Sequence, residues 1–302
     1  MRWPLVALDK HSMHTAQEIK ALCKKYQFWP SKREGQNFLV EPHFAELLVD
    51  ALDVSPGDLV VEVGAGLGAL TEQLLGAGVE LILVEKDRRL FRALKDRFKK
   101  HPQVKQMVLS DVLDLSIRDL TLKSVTVAGN LPYSISGPFL EWLARQSKQI
   151  QTAVLTLQRE VAERAAADGG SKSFGSVSVL VQSCFETQIL TKVSPKAFYP
   201  QPKITSSILK LTSRKQPLVK PSELKSVTEV VRCLFQRRRK QILNGLQHPQ
   251  LGFTSKQSRS ILKQIGLEPT LRVEQILTRD LVQLSRIALL ELGITTDNRR
   301  KS

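Results

Sequence analysis

The residues with the clearest chemical purpose are four in a row, Asn130-Leu131-Pro132-Tyr133. The Asn130 side-chain oxygen and the Leu131 carbonyl place two acceptors on one short turn. Together they can take both hydrogens of an exocyclic amino group such as that of adenine. Such a nitrogen is a poor nucleophile because its lone pair is delocalised into the ring. Holding both hydrogens favours a pyramidal nitrogen whose lone pair points at an electrophilic methyl group. Pro132 has no N–H and a fixed φ, so it stiffens the turn that presents the carbonyl. Tyr133 offers a ring for a base that has left its stack. No strong general base is needed, since the nitrogen can lose its proton after the transfer. Alone, Asn-x-Pro is an ordinary turn, so its meaning depends on what precedes it.

What precedes it is a cofactor pattern. Glu62-Val63-Gly64-Ala65-Gly66-Leu67-Gly68 follows an apolar run and opens a helical one. Glycines there allow a tight turn and let a ligand approach the backbone. Read as G-x-G-x-x-A from Gly64 to Ala69, the same stretch satisfies the dinucleotide fingerprint, so it identifies a nucleotide-type cofactor and no more. Glu85 closes the next apolar run, where an acid can accept hydrogen bonds from ribose hydroxyls. Asp111 closes the one after, where an acid suits an adenine amino group. Three strand-end features in successive register favour S-adenosylmethionine over a nicotinamide.

The elements that must position these residues alternate in type. Residues 59–63, 81–84, 104–109, 125–129 and 153–157 read as strands, separated by helical stretches at 69–75, 88–99 and 138–145. That alternation predicts an α/β fold with a parallel, doubly wound Rossmann-like sheet, and the tetrapeptide follows the fourth strand, at the carboxyl edge where ligands bind. Residues 177–182 and 204–211 read as an antiparallel edge. Residues 15–28 form an amphipathic helix stopped by Trp29-Pro30. After Thr212 the pattern is wholly helical, clearest at 222–235, 255–265 and 278–292. The expected division is a helical extension over 1–31, a methyltransferase domain over 32–212, and a smaller all-α domain over 213–302.

Charge gives the last domain a role. The 302 residues carry 45 Lys and Arg against 29 Asp and Glu, a net +16, and residues 213–302 hold 18 basic against 7 acidic. A basic excess concentrated in one segment points to a polyanion. Its densest cluster, Arg237-Arg238-Arg239-Lys240, is the candidate RNA contact, although four consecutive residues on a helix cannot all share one face. Cys23, Cys184 and Cys233 fit no zinc or redox spacing, so no metal is expected and the thiols read as buried in a reducing compartment. No stretch is apolar enough for a signal peptide or a membrane span. A cytoplasmic monomer is the expectation, with disorder confined to residues 297–302.

Beyond these motifs, the chain resembles the bacterial small-subunit ribosomal RNA adenine dimethyltransferase family of the KsgA type. The resemblance rests on Gly35-Gln36-Asn37-Phe38-Leu39, residues 61–68, Glu85, Asp111 and Asn130 to Tyr133. It continues through residues 158–164, 198–203 and 236–240, and covers about residues 16–292 with the motifs in family order. It implies transfer of two methyl groups from S-adenosylmethionine to N6 of each of two adjacent adenosines near the 3′ end of small-subunit rRNA, with the 30S subunit as partner. It also implies that Asn37 and Leu39 touch the cofactor, that Gly64, Glu85, Asp111 and Asn130 complete its pocket, and that Phe198 lies against the target base beside Tyr133. The departures from the family pattern are Glu34, Tyr199, Gln201 and Gln241, all in the loops expected to face RNA.

Other readings remain open at this point. The erythromycin-resistance methyltransferases share the fold and modify large-subunit rRNA. Leu131 in place of Ile and the basic cluster in a full helical domain favour the small subunit. A non-catalytic role in ribosome assembly, as in the related mitochondrial transcription factors, is weakened by the intact tetrapeptide. A dehydrogenase requires a catalytic His or Tyr-Lys arrangement in the carboxyl-terminal half, where His248 is the only histidine after His101.

Overall fold

The computed structural model describes residues 15–31 and 35–294. Glu34, most of the expected extension (1–14) and the tail 297–302 lie outside the described residues.

The chain opens with α1 (Ala16–Lys25), whose amino end carries a capping box between Thr15 and Glu18. Its carboxyl end is closed in the Schellman manner. The Phe28 N–H donates to the Cys23 carbonyl at 3.0 Å and the Gln27 N–H to that of Lys24 at 3.3 Å, with Gln27 in the left-handed region at φ +53°. Glycine is the usual residue there; Gln27 takes the position because Phe28 beyond it is drawn into a core with Ile19, Cys23, Leu67, Leu90 and Ala93. Thus α1 packs as part of the sheet-bearing unit.

The short strand β1 (Phe38–Leu39) leads into α2 (Pro42–Asp50). The repeating unit then begins: β2 (Leu59–Val63), α3 (Ala69–Gly76), β3 (Glu80–Glu85), α4 (Arg88–Phe98), β4 (Val104–Leu109), α5 (Ile117–Leu120), β5 (Val125–Asn130), α6 (Ser136–Gln146), β6 (Ile150–Gln158). The central strands β2 and β3 are nearly continuous buried apolar runs, as expected of a parallel sheet covered on both faces, while β4 at the edge is half exposed. They form a seven-stranded sheet in the order β4-β3-β2-β5-β6-β9-β7, where β7 is Phe185–Val193 and β9 is Ser206–Ser213. The strands from β4 to β6 run parallel, and β9 pairs antiparallel with β6. Strand order reverses between β2 and β5, so the crevice outside their carboxyl ends is the natural ligand site of the sheet. The doubly wound α/β expectation holds.

One segment differs. Residues 177–182, expected as an edge strand, lie in a helix that follows α7 (Arg159–Ala165): α8 (Ser176–Cys184), with Ser178, Val179, Leu180, Val181, Ser183 and Cys184 all buried. Its β-branched residues favour a strand locally, but tertiary context overrides that preference. The Ser178 hydroxyl donates to the Arg164 carbonyl at 2.5 Å, and the Gln182 amide donates to those of Ala165 and Ala167. The antiparallel strand falls instead on β7, directly after it. The two-residue β8 (Phe198–Tyr199) pairs with β1.

Two compact units emerge. The first runs through Trp142 and takes in Lys148–Ala162 and Gln188–Thr212; the second comprises Leu143–Ser147, Glu163–Thr187 and the described residues from Ser213 onward. The second is helical at its carboxyl end, with α9 (Leu224–Gln236), α10 (Ile242–Leu246), α11 (Ser255–Ile265) and α12 (Thr278–Glu291). Within it Arg286 forks onto both carboxylate oxygens of Glu223, at 3.2 and 2.9 Å.

Candidate active site

Three loops of the first unit meet at the carboxyl edge of β2, β3 and β5 around a cavity of about 420 Å³. That size suits a nucleoside-bearing cofactor. The expected ligand-contact residues Asn37, Leu39, Gly64, Glu85, Asp111 and Asn130 all line it, together with Pro132.

The glycine loop bends as its composition requires, with φ of +68° at Gly64, +59° at Gly66 and +87° at Gly68. Its Gly66 N–H donates to Glu85 Oε2 at 2.9 Å. The other oxygen of Glu85 accepts from the N–H groups of Lys86 and Asp87, each at 2.8 Å. Glu85 therefore ties the end of β3 to the glycine loop as well as facing the cavity. Burial raises its carboxyl above the ordinary value, and the backbone donors oppose that shift. A second clamp was not visible in the sequence: Arg97 of α4 donates to the Leu67 carbonyl and pairs with Glu72 of α3, tying the loop to both helices.

Residues 35–37 are fastened to the tetrapeptide. Asn130 Nδ2 donates to the Asn37 carbonyl at 3.0 Å. That bond commits the amide nitrogen and leaves Oδ1 as the end of the side chain able to accept. A Cβ on Gly35 would meet the Tyr133 amide nitrogen at 3.1 Å, and Gly35 has φ +69°. Only glycine lets these two loops touch. Gly129 is a further requirement the sequence reading passed over: a Cβ there would come within 2.8 Å of the Val63 carbonyl oxygen. The close approach of β5 to β2 at the site depends on it. A Gly in the middle of an apolar run was the available signal.

Two further acids set the electrostatics. Glu62, at 1% exposure, accepts the Thr71 hydroxyl at 2.6 Å. Burial pushes its carboxyl up to about 8, with the nearby Glu85 charge adding to the shift and the Thr71 hydrogen bonds opposing it. It lines the cavity as a neutral acid. Asp111 caps the turn at Val112–Asp114 through the Leu113 N–H at 3.0 Å, and Lys86 Nζ reaches its other oxygen at 2.6 Å. Burial works to raise the Asp111 carboxyl, but the Lys86 contact and the Leu113 hydrogen bond outweigh it and hold the group below its ordinary value.

Some expected residues sit elsewhere. The Leu131 side chain is buried at 2% exposure, which leaves only its backbone for chemistry. The half-buried Tyr133 shares a hydrogen bond of 2.6 Å with the Ser206 hydroxyl; burial raises its phenol and that bond opposes the shift. Phe198, expected against a target base, is at 3% exposure in the main core with Leu39, Leu48 and Ile208. It pairs with Leu39 across β8 and β1 and is not among the residues that line the cavity. The basic cluster follows α9 in a turn and divides. Arg237 donates to the carbonyls of Asn244 and Gln247. Arg238 pairs with Glu274 and donates to the Lys172 carbonyl at 2.6 Å. Arg239 and Lys240 are exposed. Among the described residues no cluster of His, Cys, Asp and Glu has the makings of a metal site, and no helix is long and apolar enough to cross a membrane.

Comparison with known proteins adds the family. A protein from Moorella thermoacetica named ribosomal RNA small subunit methyltransferase A is 36% identical over 285 residues, covering 91% of this chain and 98% of its own. The protein of the same name from Geobacter metallireducens is 36% identical over 87% of this chain and 96% of its own. Among solved structures, a dimethyladenosine transferase from Plasmodium falciparum superposes with a TM-score of 0.72 at 22% identity, covering 85% of this chain and 97% of that one. The 23S rRNA methyltransferase ErmE superposes at 0.64 and 24%, covering 83% and 99%. These likenesses in structure establish the fold. The model of the ribosomal RNA adenine dimethylase family matches residues 30–287, and the chain belongs to that family of methyltransferases.

Proposed function

We infer that this protein uses S-adenosylmethionine to dimethylate N6 of two adjacent adenosines near the 3′ end of small-subunit rRNA. The observation that carries the reading is the junction at Asn130, whose amide nitrogen is held by the Asn37 carbonyl and which lines the same cavity as Glu85 and Asp111. The small-subunit assignment rests on the names of the relatives.

S-adenosylmethionine supplies an electrophilic methyl group when bound. Glu85 is placed for its ribose hydroxyls and Asp111 for its adenine amino group. Asn130 Oδ1 and the Leu131 carbonyl accept the two hydrogens of the target nitrogen, and Pro132 keeps that carbonyl fixed. Tyr133 flanks the base. The nitrogen passes its proton to water after the transfer, so the site needs no ionisable base. The 30S subunit or its precursor is the partner, a single copy of the chain suffices, and the cytoplasm is where both meet.

The test incubates the protein with labelled S-adenosylmethionine and unmethylated small subunits, and in parallel with large subunits. Label mapped to two adjacent adenosines of the small-subunit rRNA is expected. Label on large-subunit rRNA alone overturns the assignment.

A further inference from the structure

We propose that the exposed face of α1 and the turn after it, carrying Lys20, Lys24, Lys25 and Trp29, is a docking surface for the single-stranded RNA around the target adenosine. The inference rests on the reading of the protein as an rRNA methyltransferase and locates one contact of its substrate.

The geometry begins with the two faces of α1. Ile19 and Cys23 are buried, while Lys20 and Lys24, one turn apart, are exposed, as is Lys25. The one acid of the helix, Glu18, is engaged in the capping box with Thr15. Lys20 lies over the Tyr199 ring at 5.4 Å, which joins this stripe to β8, where Lys203 and Ile204 follow as exposed residues.

Beyond the helix, the left-handed turn at Gln27 sends Phe28 into the core and Trp29 outward. Phe28 has 0% exposure and Trp29 has 71%. An indole held outside the protein by a buried neighbour is an unusual use of the residue with the largest apolar surface. Two residues on, Ser31 is locked to the cavity rim. Its N–H donates to Gln36 Oε1 at 2.9 Å and its carbonyl accepts from the Gln36 N–H at 3.1 Å; Gln36 and Ile19 both line the cavity. Two residues span at most about 7 Å, so the Trp29 backbone lies within that distance of Ser31, which is bonded to a residue of the cavity wall. Lys32 and Arg33 follow it in the sequence. An exposed aromatic flanked by cations, with no free carboxylate on its helix, matches what unpaired nucleotides need: a ring for a base and charges for phosphates.

The test measures binding of a fluorescein-labelled single-stranded RNA dodecamer and of unmethylated small subunits, as a function of salt. Trp29→Ala should weaken oligonucleotide binding roughly fivefold or more, and Trp29→Phe, which keeps a ring, should recover most of it. Replacing Lys24 and Lys25 with Ala should reduce the slope of log affinity against log salt by about 1.4. Affinity for S-adenosylhomocysteine and the melting temperature should stay unchanged in all three. Variants that bind the oligonucleotide like the wild type overturn the proposal. Loss of subunit binding with oligonucleotide binding intact also overturns it, by assigning the face to a ribosomal protein. A wild type that binds RNA through this face yet methylates no adenosine overturns the functional reading and leaves the surface standing.

Discussion

Replacing Glu62 with Gln should stabilise the protein, and by more as pH rises. Glu62 is fully enclosed, with the Thr71 hydroxyl on one oxygen, and it titrates near 8 against an ordinary 4.5. A carboxyl whose folded value is raised binds a proton that the unfolded chain releases between those limits. Its contribution is therefore neutral below pH 4.5, declines as pH rises through the window, and levels off above 8. From pH 5 to pH 8 the decline amounts to about 3–4 kcal/mol, using 1.36 kcal/mol per unit and no discount for solvent at so enclosed a site. Glutamine keeps the shape and the acceptor for Thr71 but cannot ionise.

Urea unfolding at pH 5, 6.5 and 8 measures the difference directly. The two proteins should be close at pH 5, and the wild type should fall behind steadily above it. Parallel stability profiles across that range would refute the neutral-acid argument, and would mean that Glu62 reaches solvent through the cavity and titrates as an ordinary carboxyl.

Five other outcomes follow from the same geometry. Asn130→Ala should lower the rate of methyl transfer at least about a hundredfold, since it removes the acceptor that positions the nucleophile, measured by single-turnover labelling of small subunits. Glu85→Gln should weaken S-adenosylhomocysteine binding by about 1.5–3 kcal/mol in calorimetry, the worth of charged hydrogen bonds; part of that loss reflects the loosened Gly66 contact. Gly129→Ala should destabilise the fold by about 1–3 kcal/mol, because the added methyl meets a backbone carbonyl that cannot move alone. Charge reversal at Arg239 and Lys240 should weaken subunit binding and lower its salt slope by about 2 with stability unchanged. Reversal at Arg238 should instead destabilise the second unit through Glu274.

How much of this was legible in the sequence depends on whether a role is local. The glycine loop, Glu85, Asp111 and Asn130 were legible because each sits at a strand end, and strand ends are set by short apolar runs that can be read directly. Arg97 was not. Its partners, Leu67 and Glu72, belong to a different βα unit, and nothing around residue 97 distinguishes it from the other basic residues of an amphipathic helix. Phe198 is the opposite case: the motif around it marks a position in the chain, while its burial beside Leu39 follows from a pairing that only the fold supplies. The helix at 176–184 was misread because a fully buried helix and a buried strand share the same apolar run, and only its partners decide.

The same reasoning explains why the loop at residues 35–39 and the turn at 130–133 belong together although some 90 residues separate them. They are two halves of one junction. Gly35 admits the Tyr133 backbone where any Cβ would push it away, and the Asn37 carbonyl takes the Asn130 amide nitrogen. Gly64 faces Pro132 across the cavity side, and Gly129 lets the β5 edge settle against Val63. The turn at 130–133 is thus positioned by close backbone approach at two places, Gly35 and Gly129, where a side chain would hold the elements apart. Under the proposed mechanism, a turn fixed in that way keeps its two acceptors aimed before any base arrives, and that preorganisation is the fold's contribution to a transfer that requires no ionisable group.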